Sequence, residues 1–165
     1  MSGKVKLSPI HALGVLRNAP FRRYVIGSLI SDTGSWMQVM AQGWVMATLT
    51  DKAIWLGMAN LAAGLPMLLL TMVGGAAADR FDKRKILLIT QFVQIGTACA
   101  IGYLVFKNQI EIWEILAFAV VLGISNSFEM PTQSALVPEL VGRAEIQNGI
   151  SIDRSVFHGS RVLGP

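Results

Sequence analysis

The sequence predicts an all-α, polytopic membrane protein, and three observations carry that expectation. Hydrophobic residues make up 53% of the 165 and charged ones only 15%, against about a quarter in ordinary soluble domains. The apolar residues gather in runs of about twenty, the length needed to cross a hydrocarbon core of about 30 Å. Lys and Arg are confined largely to the turns between those runs, so the net charge of +4 reports topology and does not point to nucleic acid.

Each element follows from local signals. Ser8-Pro9 followed by Ile10, Leu13 and Leu16 supplies an N-cap, a first-turn proline and one-sided apolar spacing. This predicts a short helix on the membrane surface, within a cytoplasmic segment of about residues 1–23 that closes on the basic-aromatic anchor Phe21-Arg22-Arg23-Tyr24. The apolar part of this start is too short for a cleavable signal peptide, so the first long helix is expected to stay in the mature protein. That helix is expected at about residues 24–49, with Ser28, Ser31, Asp32, Ser35, Gln38 and Gln42 on one face.

The turn Thr50-Asp51-Lys52-Ala53 reverses the chain into a second helix at about 54–78. There Pro66 loosens the bond to Ala62, while Gly57, Ala59, Ala63 and Gly64 admit a close neighbour. A third helix at about 86–106 holds the single cysteine, Cys99, read as a small packing residue, and ends at Lys107-Asn108-Gln109. A fourth at about 112–128 starts at the interfacial Trp113 and stops in Asn126-Ser127-Phe128-Glu129-Met130-Pro131; a fifth is expected at about 150–165.

Charge sets the orientation. Lys4, Lys6, Arg17, Arg22, Arg23, Arg80, Lys83, Arg84, Lys85 and Arg143 fall on one side, and only Lys52 and Lys107 on the other. The expected N-terminus is therefore cytoplasmic.

Between the second and third helices lies Gly75-x-x-x-Asp79-Arg80-x-Asp82-Lys83-Arg84-Lys85, which resembles the loop signature of the major facilitator superfamily, with Asp82 where the general pattern has Gly. Ser160-Arg161-Val162-Leu163-Gly164-Pro165 is similar to the superfamily's antiporter motif in its fifth helix, Ser160 standing for the first Gly. The stretch from Phe128 to Val141, with Phe21-Arg22-Arg23 and Gly34-Ser35-Trp36-Met37-Gln38, resembles the exporter branch that includes enterobactin-type siderophore and drug exporters.

The resemblance implies a partial N-terminal half of that fold, holding five of twelve helices, whose two halves rock about a central cavity lined by helices 1 and 4. It further implies that Asp79 caps a helix in the missing C-terminal half. Arg80 and Arg84 would tie the hairpin down, and Glu129 is the expected partner of one of them.

Within the membrane, Asp32 is the first candidate. Some eight residues, or about 12 Å, beyond Tyr24, it is expected near mid-bilayer, where an ionised carboxylate is costly unless it meets water or a cation. Either Asp32 binds or couples a proton, or contacts a cationic part of the substrate, while Arg161 tunes its pKa, or the two form a structural pair between helices 1 and 5. Gln38, Gln42 and Asn126 either line the cavity or bond to neighbouring helices. Asp153 and Arg154 lie too near the cytoplasmic end for the same argument, and lone His158 reads as packing.

Motifs for catalysis, a cofactor or a metal are absent from the sequence. The expected function is proton-coupled efflux of a drug- or siderophore-like small molecule, by a multi-pass protein of the bacterial inner membrane of which this chain is an incomplete part. The alternative is a truncated membrane protein that acts only as a packing or interaction module.

Overall fold

The computed structural model of the chain describes residues 14–142 and 145–164. Its elements are a 3₁₀ turn, Val15–Arg17, and five α-helices: α1 Ala19–Leu49, α2 Ala53–Arg80, α3 Lys83–Phe106, α4 Ile112–Val141 and α5 Ile146–Leu163. The expected surface helix falls largely outside the described residues, as do Arg143 and Pro165. Of the five helices, α2, α3 and α4 are long and apolar enough to cross a membrane. The polar face of α1 and the Asp153, Arg154 and Arg161 charges of α5 lower the apolarity of those two.

The chain forms two compact units, one from residues 1–34 and 136–165, the other from 35–135, with α1 and α4 contributing to both. In the first unit, Val15, Phe21, Val137 and Val141 form a buried cluster. Phe21 is thus a core residue and not a bilayer anchor, while Arg22 and Arg23 are exposed. The Asn18 side chain donates to the Leu140 carbonyl at 2.7 Å, satisfying one of the acceptors that the end of α4 leaves open. The Tyr24 hydroxyl donates to Asp153 Oδ1 at 2.9 Å, so the second aromatic of the expected anchor also turns inward.

The second unit has the polarity of a membrane protein. Ser127 and Thr132 are wholly buried, with Thr90, Gln94, Thr97, Ser125 and Glu129 nearly so. Met72 and Phe106 lie outside, 86% and 82% exposed. In water this would be inverted; in lipid, apolar side chains lose nothing by facing out and polar ones must find partners inside. Trp55 and Trp113 meet edge to face at 5.5 Å, joining the starts of α2 and α4.

Three departures from the sequence reading have physical causes. First, α4 continues through Pro131 and Pro138 to Val141. Pro131 has no N–H for the Ser127 carbonyl four residues back, but that carbonyl points at the Cα of Gly74 on α2, where a side chain would collide with it. Beyond the proline, Thr132 and Ser134 donate to the Phe128 and Met130 carbonyls at 2.6 and 2.9 Å, and burial of Val137 and Val141 holds the last turns. The stop comes at Gly142, whose φ of +76° suits glycine.

Second, of the small residues expected to admit a close neighbour Ala63 does so, but Gly57 and Gly64 do not. Gly57 and Gly64 have no atom within 4 Å of where a Cβ would stand, whereas Gly123 of α4 sits against the Ala63 carbonyl, in the turn that Pro66 loosens. Third, Cys99 is exposed on α3 and takes no part in packing. The outer helix bounds also extend past those expected: α1 starts at Ala19 with Pro20 in its tolerant first turn, and α5 starts at Ile146.

Candidate functional site

Within the second unit, a cavity of about 120 Å³ is lined by Ser35, Gln38 and Gln42 of α1, Asn60 of α2, Gln94 of α3 and Asn126 of α4, among apolar neighbours. The i, i+3, i+7 spacing on α1 aims three polar side chains at one point. Five of these six side chains are carboxamides, each offering a donor and an acceptor without carrying charge. Pockets that hold a whole drug-sized molecule usually measure about 300–1,000 Å³, so a space of this size fits one polar group of such a molecule.

The wall is partly pre-bonded. Ser35 Oγ donates to Gln94 Oε1 at 3.2 Å, Gln38 Nε2 reaches Thr97 Oγ1 at 3.5 Å, and Asn60 Nδ2 is taken by the Leu56 carbonyl at 3.1 Å. Gln42 differs. Its Nε2 is buried and has no acceptor among the described residues. An unmade bond of this kind costs about 1–3 kcal/mol, a cost that a ligand's oxygen would remove.

Beside the cavity, Glu129 is 6% exposed and accepts from Gln94 Nε2 and, at 3.2 Å, from Gln133 Nε2. The helix end expected at Glu129 lies further on: α4 continues for about 18 Å beyond it. Local signals placed the helix end too early, at Pro131.

The remaining expected residues lie elsewhere. In the hairpin, Gly75 has open space around it, Gly74 being the glycine in contact with α4, and Asp79, Arg80 and Arg84 are exposed. Asp82, the departure from the superfamily pattern, is the N-cap of α3, its Oδ1 accepting from the Arg84 N–H at 2.9 Å. In the first unit, Asp32 is half-buried and close enough to Asp153 to feel its charge, while Arg161 is exposed. Ser160 is buried, donating to the Val156 carbonyl at 2.8 Å, and Gly164 is buried beside it.

The structure therefore brings Gln38, Gln42 and Asn126 together and adds Ser35, Asn60 and Gln94, while Asp32 and Arg161 are not among the cavity's lining. Gln94 had a legible signal: Thr90, Gln94 and Thr97 form a polar stripe at four- and three-residue spacing in an otherwise apolar helix. Asn60 stands alone in α2 and had none.

Residues 10–165 match the family model described as transmembrane secretion effector. The staphyloferrin A transporter of Staphylococcus aureus is 29% identical over 141 residues, covering 84% of this chain and 35% of the relative. The multidrug efflux pump Tap of Mycolicibacterium fortuitum is 22% identical, covering 90% and 38%, and macrolide efflux protein A of Streptococcus pyogenes is 22% identical, covering 84% and 34%. The chain thus spans about a third of the length of these relatives. No solved structure matches it significantly.

Proposed function

The chain belongs to the transmembrane secretion effector family of the major facilitator superfamily and is a multi-pass membrane protein; from that premise we propose that it supplies the N-terminal helices of a proton-coupled exporter of small molecules. In this reading all five helices cross the bacterial inner membrane from a cytoplasmic N-terminus, as the distribution of Lys and Arg favours. A C-terminal half completes the cavity. Asp79 meets a helix N-terminus there, where the macrodipole favours a carboxylate, and Arg80 and Arg84 secure the hairpin. Ser160, Gly164 and Pro165 stand where the superfamily's antiporters carry their fifth-helix motif. Asp32, with Arg161 near it, serves the cation side of the cycle, and the chain's work is transport, not catalysis.

The observation that carries this reading is the carboxamide cavity with the unused Gln42 donor, set among helices whose outer faces are apolar. Uncharged amides around a donor without an acceptor suit a substrate rich in oxygen acceptors. Relatives named for a macrolide and for staphyloferrin A are consistent with that class.

The test is erythromycin accumulation in an efflux-deficient strain expressing the full reading frame that contains this sequence. Expression is expected to lower accumulation, and Gln42→Leu to weaken the effect by about tenfold in apparent affinity, the equivalent of one lost hydrogen bond of about 1.4 kcal/mol. The same substitution removes a buried unmet donor, so its thermal midpoint in detergent is expected to rise. Loss of export together with loss of stability would mean that Gln42 merely packs.

A further inference from the structure

Glu129 is the one charged side chain in the apolar spans of its unit. Residues 35–49, 53–78, 86–106 and 115–135 contain no other carboxylate and no Lys, Arg or His; the other titratable side chains, Cys99 and Tyr103, are both exposed. On α2 the charges are Asp79 and Arg80 at its end, and on α3 they are Lys83, Arg84 and Lys85 at its start, with Lys107 just past its end. Gln94 stands about 16 Å along α3 from Lys83. On α4 itself the other acids are Glu114, about four turns away, and Glu139, about three.

What surrounds the carboxylate matters more than its distance from other charges. Gln94 Nε2 donates to Glu129 Oε2, and the other end of the same amide, Oε1, accepts from Ser35 Oγ. Gln94 and Ser35 both line the cavity; Gln133, which holds the second carboxylate oxygen, does not. An ionised carboxylate needs donors, and these two amides supply them. A neutral carboxyl carries a proton of its own, and that proton needs an acceptor. Where the proton sits on Oε2, the amide N–H of Gln94 is the wrong group to face it.

We propose that Glu129 is a proton-binding site, and that protonation at Oε2 turns the Gln94 carboxamide over. Its Oε1 then accepts the Glu129 proton, its Nε2 swings to the cavity side, and the Ser35 hydroxyl reverses from donor to acceptor. The proton comes from water and returns to it; no covalent bond between heavy atoms changes. The cavity wall presents a carbonyl when Glu129 is charged and an N–H when it is neutral. A hydroxyl or ammonium group of a substrate is held by the carbonyl of the ionised state and released by the protonated one, so that proton and substrate compete, as export against an inward proton gradient requires. As a coupling device this rests on the exporter reading above; as a protonation site it does not.

Two measurements on the full-length protein in lipid decide the matter. Infrared titration is expected to find a carboxylic-acid band that disappears in Glu129→Gln and persists in Asp32→Asn and in Gln94→Met. Its survival in Glu129→Gln overturns the site. Should Glu129→Gln not fold, Glu129→Asp is expected to shift the band's midpoint, and an unmoved midpoint is equally fatal.

In proteoliposomes, erythromycin uptake driven by a pH gradient is expected to fall at least about tenfold in Glu129→Gln and Gln94→Met, and less than about twofold in Gln133→Met. Exchange of erythromycin without a gradient is expected to stay within about twofold of wild type in Gln133→Met, and in Glu129→Gln and Gln94→Met to fall by a smaller factor than the gradient-driven uptake does. Equal losses in Gln94→Met and Gln133→Met would overturn the turning amide. A wild type that moves no erythromycin overturns the exporter reading for this probe, and the infrared titration alone then decides on Glu129.

Discussion

Asp82 shows how a residue that breaks a family pattern can have a local physical purpose. The superfamily signature has glycine there, a residue that serves adequately as an N-cap; aspartate adds a side-chain acceptor for the Arg84 N–H and a negative charge at the start of α3. Asp82→Ala is expected to destabilise the start of α3 by about 1 kcal/mol, and Asp82→Gly by only a few tenths. Hydrogen exchange at the amides of Lys83, Arg84 and Lys85 measures this directly: faster exchange in the alanine variant than in the glycine variant is the expected order. At the same scale, Gln38, Gln42 and Asn126 were legible as cavity residues because a polar side chain in an apolar helix is visible without a structure. Glu129 was visible too, but its role was not, because its partners Gln94 and Gln133 and its depth depend on where α4 ends.

Among the elements, α2 and α4 make the most demanding contact. At two points a proline and a glycine act together: Pro131 leaves the Ser127 carbonyl unbonded and Gly74 receives it, and Pro66 loosens the turn whose Ala63 carbonyl meets Gly123. A methyl group at either glycine would run into backbone, which cannot move aside as a side chain could. Gly74→Ala and Gly123→Ala are each expected to cost about 1–3 kcal/mol or to abolish folded protein in detergent. Gly57→Ala and Gly64→Ala, with open space around both, are expected to leave the thermal midpoint unchanged or to raise it, since alanine favours helix by about 1 kcal/mol. If all four substitutions behaved alike, the helices would not be meeting at Gly74 and Gly123. The sequence does show small residues along α2, but the spacing of Gly57, Ala59, Ala63 and Gly64 does not say which of them faces a neighbour.

For the whole molecule, the topology proposed from charge placement can be read by labelling. In a Cys99→Ser background, Lys52→Cys and Lys107→Cys are expected to react with a membrane-impermeant maleimide added to intact spheroplasts. Arg84→Cys is expected to react only in inverted vesicles. Labelling of Arg84→Cys from outside would reverse the orientation. Cys99 itself, exposed on an apolar helix, is expected to face lipid and to stay unlabelled until the membrane is dissolved.

Composition, the length of the apolar runs and the confinement of positive charge determined by themselves that this chain is helical and multi-pass, and the motif from Gly75 to Lys85 carried its resemblance to the major facilitator superfamily. Those signals are local, and lipid enforces them, because a backbone in hydrocarbon must bond within its own helix. The tertiary structure decided what depended on a partner distant in sequence. The Ser127 carbonyl can do without its helical bond because Gly74 is there to meet it, so α4 continues past Pro131. That continuation leaves Glu129 buried within the helix and not at its end, with Gln94 linking it to the cavity. The Gln42 amide lacks an acceptor for a reason equally invisible in sequence: hydrogen-bond satisfaction is a property of the neighbours that the fold provides.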